Sequence, residues 1–265
     1  MKTGNKFSCA LVTGASSGIG EAFAEELAEA GTDVVLVARS ADKLEAIATR
    51  LRQTTGRTVT VMPLDLSKPG AVSTLLEQIK AHGLNIDLLV CNAAFGTVGS
   101  YLNEHPLQRY RDMVELNAMC MVELAYAFVP LMKARGGGNI INVASIGSFL
   151  PMPGMAVYGA TKAFALSFTE ALSEECRSFN IRVMALCPGP TDTGFFAAVG
   201  RPEMRDQLPK SVLMSSRECA RQGLTAFARG RNIKITGITT RIVAQLHRIL
   251  TRNRLTKLSA KMHMN

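Results

Sequence analysis

The 265-residue chain has no tryptophan and few aromatic residues of any kind. Its basic C-terminal stretch carries a single aromatic, Phe227, so a base-stacking nucleic-acid surface is not expected. No two of the six cysteines (Cys9, Cys91, Cys120, Cys176, Cys187 and Cys219) form a CxxC pair. That disfavours both a thiolate metal site and a disulfide framework. Most of these cysteines sit in apolar stretches, which reads as reduced core thiols of a cytoplasmic protein. Histidine is equally sparse, and His82, His105, His247 and His263 lack metal-ligand spacing, so no metal site is expected. No run approaches the roughly 18 apolar residues of a bilayer span, so no transmembrane segment is expected. The opening MKTGNKFSCALVTG passes straight into a Gly-rich turn and does not read as a targeting segment. Finally, acid is missing from one region. Ala220–Asn265 holds ten Lys and Arg and no Asp or Glu, so the net charge of +9 belongs to the tail.

What is present is an alternation of short apolar runs with longer helical patterns. Strands are expected at Ser8–Thr13, Asp33–Ala38, Thr58–Pro63, Asp87–Cys91, Asn139–Ala144, Ile181–Cys187 and near Asn232–Ile235. Many are nearly continuous in Val, Ile and Leu, as strands buried on both faces are. Helices are expected over Ile19–Ala30, Ala41–Gln53, Pro69–His82, Leu107–Ala134 and Met155–Phe179, while Pro188 to about Leu213 reads as an irregular segment. Strands separated by helices imply right-handed crossovers. The expected fold is α/β: a Rossmann-type, doubly wound parallel sheet of about seven strands with helices on both faces. It forms one domain over 1–265, including a basic amphipathic extension at about 238–265.

The first strand ends in Thr13-Gly14-Ala15-Ser16-Ser17-Gly18-Ile19-Gly20 and a helix follows. Glycines there let main-chain N–H groups approach a pyrophosphate, and the helix N-terminus adds partial positive charge. The spacing is GxxxGxG rather than the commoner GxGxxG. Expected cofactor contacts are Gly14, Ser16, Ser17, Gly18, Ile19 and Gly20. At the end of the second strand, NAD sites usually carry an acid for the ribose 2′-OH. Asp33 lies at the wrong end of that strand. Arg39 lies at the right end, and its guanidinium suits a 2′-phosphate, with Ser40 beside it. NADP(H) is therefore the expected cofactor. Asp65, with Leu66 after it, either meets the adenine amino group or belongs to the N-cap of the next helix. Asn92 and Ala93 follow the fourth strand, where small residues let the chain pass close to a cofactor and Asn92 can brace the strand ends.

Tyr158 and Lys162 lie one helical turn apart. An ammonium near a phenol favours the phenolate, which suits proton transfer. Ser145 ends the fifth strand, where its hydroxyl can polarise a carbonyl. Taken together, TGASSGIG, NAA, Ser145, the Tyr158/Lys162 pair and Pro188-Gly189 resemble, in order and spacing, the short-chain dehydrogenase/reductase family in its compact single-domain branch. The resemblance covers roughly residues 7 to 195. It implies a catalytic tetrad of Asn117, Ser145, Tyr158 and Lys162, with Asn117 interrupting its helix and holding a water in a relay to Lys162. It also implies that Lys162 holds the nicotinamide ribose, and that Pro188, Gly189, Thr191 and Thr193 line the cofactor. The expected reaction interconverts a carbonyl and a secondary alcohol, with Tyr158 as general acid and base. The alternative is an NADP(H)-binding regulator without turnover.

Phe95, Ile146, Gly147, Ser148, Met152, Pro153, Met155, Phe195, Phe196 and Met204 are expected at a substrate wall, favouring an apolar small molecule. Ile238, Ile242, Val243, Leu246, Ile249 and Leu250 form an amphipathic stripe beside Arg241, Arg248, Arg252 and Arg254. Three uses of this tail remain open. It covers the pocket or a partner, it is a solvated basic tail, or it meets an anionic membrane surface or acidic carrier protein. The family's habit of pairing through its long helices implies a homodimer or homotetramer.

Overall fold

The structure is a computed structural model, and it describes residues 7–99, 104–209 and 212–263, the side chains of 261–263 excepted. Seven strands form one parallel sheet: β1 (Cys9–Thr13), β2 (Asp33–Ala38), β3 (Val59–Pro63), β4 (Leu88–Cys91), β5 (Gly138–Val143), β6 (Ile181–Cys187) and β9 (Ile233–Ile235). Their order is β3-β2-β1-β4-β5-β6-β9, the doubly wound arrangement expected. A separate parallel ribbon pairs β7 (Thr191–Asp192) with β8 (Met214–Ser215). The expected strands are found, most of them with an end shifted by a single residue.

The strands form because their Val, Leu and Ile side chains can be buried on both faces. On one face Val34, Leu36, Val90 and Ile141 pack under α1 (Gly18–Glu29), α2 (Ala41–Thr55) and α9 (Ser216–Ala228). On the other, Leu11, Val35, Leu89 and Ile140 pack under α3 (Ala71–Ala81), α5 (Cys120–Ala134) and α6 (Ala156–Glu175). In α2, Leu44, Ile47, Ala48 and Leu51 recur at helical spacing on the buried side. The chain runs from β1 outward to β3 and then returns to β4 beside β1. A crevice opens where the order reverses, at the carboxyl ends of these two strands.

Several features depart from the expectations. The expected helix over 107–134 contains a wider turn. α4 (Leu107–Val114) passes through a π-helical turn at Glu115–Met119 into α5, with Asn117 and Ala118 buried in the turn. By length and composition alone this helix could cross a membrane, a test that the core helix of a globular fold also passes. Its charged residues are spread along it, and in the fold it lies against the sheet and α6. The helix expected to run to Phe179 ends at Glu175, and a 3-10 turn at Arg177–Phe179 follows. The segment expected to be irregular holds α7 (Phe195–Ala198) and α8 (Glu203–Gln207) besides β7. α9 was not expected at all.

The tail stripe also divides. α10 (Ile238–Gln245) and α11 (Arg252–His263) are separate helices. Thr240 and Ala244 are buried and Val243, Leu246 and Leu250 are half-buried, whereas Ile238, Ile242 and Ile249 face solvent. α10 packs back onto the sheet end: a side chain at Gly189 would collide with Thr240, and the Phe149 and His247 rings stack at 6.0 Å.

Candidate active site

The turn after β1 has the form of an anion cradle. Gly14 and Gly18 have φ of 66° and 62°, a left-handed region that side chains disfavour. A Cβ at Gly14 would meet the Ala93 backbone at 2.8 Å, and one at Gly20 would strike the Gly14 carbonyl oxygen. Ser17 occupies the N-cap position of α1 but makes no capping hydrogen bond, so its hydroxyl and the first-turn N–H groups remain available. Ser16 is half-buried beside it, and Ile19 packs part of its side chain onto the core. These features fit a bound pyrophosphate without rearrangement.

A residue overlooked in the sequence closes the back of this cradle. Thr13 is buried, and its hydroxyl donates to Val90 O and accepts from the Asn92 and Ala93 amides at 2.9 and 3.0 Å. Asn92 returns the link by donating through Nδ2 to Thr13 O at 2.9 Å. Asn92 thus braces the ends of β1 and β4. A Thr immediately before the glycine of a strand-to-helix turn is the signal that could have found this.

At the end of β2, Arg39 and Ser40 are exposed, and Ser40 makes no side-chain cap to α2. Asp33, at the opposite end, is held by Arg57 at 2.7 Å. Asp65 accepts from the Ser67 hydroxyl at 2.7 Å and the Ser67 amide at 3.1 Å, which is a turn-capping role. Burial acts to raise its pKa, but the Ser67 bonds, then Arg39 and Lys68, leave the carboxyl below its ordinary value. Leu66 points into the core, so only its main chain can face a ligand.

The four residues of the implied tetrad converge at the carboxyl ends of β4 and β5. Ser145 follows β5, and its oxygen accepts the Gly147 amide at 3.0 Å, capping a short 3-10 turn. The Ser145 hydroxyl is near enough to the Tyr158 phenol to favour its ionised form. Lys162 lies one turn along α6, is 4% exposed, and donates from Nζ to Val143 O at 2.8 Å. Its nitrogen is 5.9 Å from the Tyr158 ring centre. Burial depresses Lys162 to about 8, with Cys187 opposing. Burial raises Tyr158 above its ordinary value, and the Ser145 hydroxyl only partly offsets this. The expected lowering of the phenol by Lys162 is therefore corrected for the protein without ligand. The ammonium is turned toward Val143 O, and desolvation of the phenolate dominates.

Asn117 fastens the two halves of this site. Its Oδ1 accepts the Phe95 amide at 3.0 Å, and its Nδ2 donates to Phe95 O at 2.8 Å and to Thr161 Oγ1 at 3.1 Å. Thr161, also unforeseen, donates to the Tyr158 carbonyl oxygen at 2.8 Å. Ser148 donates to the Lys162 carbonyl oxygen at 2.6 Å.

Around Tyr158 packs an apolar cluster of Val98, Met152, Met155, Phe195, Val199 and Met204. Four of these were expected at a substrate wall, and Val98 and Val199 were not. Phe195 sits over Tyr158 with ring centres 5.4 Å apart, and Gly96 leaves space for both rings. Phe196 meets the Phe195 ring edge-on. Phe95 instead lies under the Arg109 guanidinium at 4.4 Å. Pro188 O accepts the Ile146 amide at 2.8 Å, and the Thr191 hydroxyl donates to Gly189 O at 2.9 Å. Thr193 caps the turn into α7, and its side chain would be met by a Cβ at Gly18 at 3.1 Å. The segment after β6 therefore closes over the glycine turn.

The sequence profile described as short chain dehydrogenase matches residues 8–203. The chain belongs to that family. It is 30% identical over 234 residues to an uncharacterised oxidoreductase of Staphylococcus aureus, covering 88% of this chain and 96% of that one. Among solved structures, a short-chain dehydrogenase of Sphingobium yanoikuyae in complex with NADPH superposes with a TM-score of 0.82 at 32% identity, covering 95% of both chains. The bulky-bulky ketone specific alcohol dehydrogenase of Comamonas testosteroni gives 0.79 at 30% identity, covering 96% of this chain and 95% of that one. This member of the family is an oxidoreductase; among its structural neighbours, an L-sorbose reductase of Gluconobacter frateurii also carries NADPH, and a short-chain dehydrogenase/reductase of Burkholderia phymatum carries NAD.

Proposed function

We propose that the chain is an NADP(H)-dependent reductase of bulky, apolar ketones, with Tyr158 as the proton donor. The observation that carries this reading is the convergence of Ser145, Tyr158 and Lys162 beneath the apolar cluster of Met152, Met155 and Phe195. A reduced nicotinamide, when bound, supplies a hydride for the carbonyl carbon. The protein's own residues do the rest. A carbonyl oxygen placed between Ser145 and Tyr158 receives a hydrogen bond from each. The Ser145 bond steadies the developing alkoxide charge, and Tyr158 gives up its proton to that oxygen. Burial keeps Tyr158 protonated at neutral pH, which is the state an acid requires and which favours reduction as the working direction.

An ammonium has three donors. Lys162 spends one on Val143 O, which leaves others for a ribose hydroxyl and for the spent Tyr158. Asn117 acts as a positioning residue. Its side chain is committed to Phe95 and Thr161, so a relay to Lys162 would have to run through its main chain. Gly14, Gly18, Gly20, Ser16, Ser17 and Thr193 surround the pyrophosphate, and Arg39 with Ser40 meets the 2′-phosphate. Asp65 and Leu66 flank the adenine, and Pro188, Gly189 and Thr191 the carboxamide end. NADPH in the Sphingobium neighbour and the bulky ketones of the Comamonas enzyme support the choice of cofactor and substrate class.

We further take residues 8–263 to act as one unit, because Thr240 of the extension is seated on Gly189. Pairing of two copies through α5 and α6 is supported by the exposure of Tyr126, Leu131 and Phe164. The six free, buried thiols suit a reducing compartment such as the cytoplasm. The decisive experiment compares NADPH and NADH by nicotinamide fluorescence, uncomplicated by tryptophan, and then follows NADPH consumption with bulky ketones. Tight NADPH binding without turnover, unchanged in Tyr158→Phe, would instead indicate a regulator.

A further inference from the structure

A large concavity adjoins the site at Met152. It is a cleft of about 1650 Å³ between α6, β9, the end of α9 and the C-terminal helices, and none of Ser145, Tyr158 or Lys162 lines it. Seven cations do; Arg221 is paired with Glu26 at 3.1 Å, and the other six are Arg229, Arg231, Lys234, Arg241, Arg248 and Arg252. Among the described residues, no carboxylate or hydrogen-bond acceptor meets any of these six side chains. Elsewhere the arginines close on acids: Arg50 on Glu21 and Glu25, Arg57 on Asp33, Arg205 on Asp192, Arg217 on Glu26 and Glu29. The acids in the cleft lining are Glu170 and Glu218, and Glu218 is engaged by Gln222 at 3.0 Å and faces Arg221 at 3.9 Å. Lys234 lies below its ordinary pKa, first through burial and then through Arg241 and Arg229, so the cations repel one another.

The helix bearing Arg241 carries a second anomaly. Ile238, Ile242 and Ile249 are 80%, 63% and 80% exposed. Ile238 and Ile242 are one turn apart and share a face. Ile242 and Ile249 each directly follow an arginine of the cleft. An apolar face flanked by unpaired cations is the composition of a segment that lies in a membrane interface. A second copy of this chain fits poorly. A two-fold contact sets a patch against itself, and no acid occurs from Ala220 to Asn265 to receive these cations.

We propose that this end of the molecule docks on an anionic lipid bilayer. Ile238, Ile242 and Ile249 enter the acyl boundary, and the cations at the cleft mouth meet lipid phosphates. The inference stands independently of the reductase reading. Taken with it, there is a consequence for substrate delivery. Met152 lines the cleft and also packs in the apolar cluster around Tyr158. Docking therefore brings that cluster close to a reservoir of apolar molecules.

The test is co-sedimentation of the full chain with vesicles of phosphatidylcholine alone or mixed with phosphatidylglycerol. Binding at least about tenfold stronger to the mixed vesicles, and lost at high salt, is expected. Arg241→Gln and Arg248→Gln should each weaken it roughly fivefold. The triple variant Ile238→Ser, Ile242→Ser, Ile249→Ser should abolish it with the thermal melt unchanged, since all three residues are exposed. Equal binding to both vesicle types, or undiminished binding of the triple variant, overturns the proposal. So does release by inorganic phosphate beyond that by chloride at equal ionic strength, which would make the cleft a soluble-phosphate site. A triple variant that dissociates an oligomer and still sediments would assign the face to a second copy.

Discussion

Lys162 should cost the folded protein stability, and replacing it by Met should reveal how much. The ammonium is 4% exposed and its pKa falls from 10.5 to about 8. That shift of about 2.5 units corresponds to roughly 3 kcal/mol. A group whose folded pKa is depressed in this way is protonated in the unfolded chain before it is in the native one. Between pH 8 and 10.5 the unfolded state therefore binds more protons, and stability rises with pH. The full penalty operates below about pH 8 and vanishes toward 10.5. Lys162→Met removes the charge while keeping an unbranched apolar stem, but it also removes the bond to Val143 O, worth about 1–2 kcal/mol. A net gain of about 1–2 kcal/mol at pH 7 is expected, together with loss of most ketone reductase activity. Urea unfolding of cofactor-free protein and variant from pH 7 to 9.5 would measure it. The difference between them should shrink by about 2 kcal/mol from pH 8 to 9.5. A variant less stable than wild type at pH 7, or a difference that does not vary with pH, would refute the reasoning.

Other outcomes follow from the same geometry. Arg39→Asp should weaken NADPH binding roughly 10- to 100-fold and spare or improve NADH, read by fluorescence titration. Tyr158→Phe should lower ketone reduction by about 10²- to 10⁴-fold with NADPH affinity retained. Because burial raises the Tyr158 pKa, wild-type reduction should show no loss from Tyr158 deprotonation through neutral pH and decline only above about 10. Phe195→Ala should admit bulkier ketones, seen as a shift of kcat/KM toward the larger members of a ketone series. Gly20→Ala should abolish dinucleotide binding and lower the melting temperature, since its methyl would strike the Gly14 carbonyl rather than a movable side chain.

The local signals were legible because the chemistry they report is local. Continuous Val, Ile and Leu runs imply strands buried on two faces. The glycines of the first turn and the i, i+4 relation of Tyr158 and Lys162 survive any packing that keeps one strand-to-helix turn and one helix. The sequence alone therefore determined the parallel sheet, the cradle and the Tyr158/Lys162 pair. Asn117 needed the family resemblance, because its partner Thr161 lies 44 residues away along the chain.

The tertiary structure decided what depends on distance and burial. Thr13 and Thr161 become braces only when strands and helices meet. The direction of the Tyr158 shift followed from enclosure, which outweighed a cation that spacing alone placed nearby. In the tail, periodicity marked Ile238, Ile242, Val243, Leu246, Ile249 and Leu250 as one stripe. Within the first helix Ile238 and Ile242 face solvent while Thr240 turns inward onto Gly189, and Ile249, beyond the break, is exposed as well. Hydrophobic spacing fixes which residues share a helix face, but only the contacts of that helix settle which face is covered.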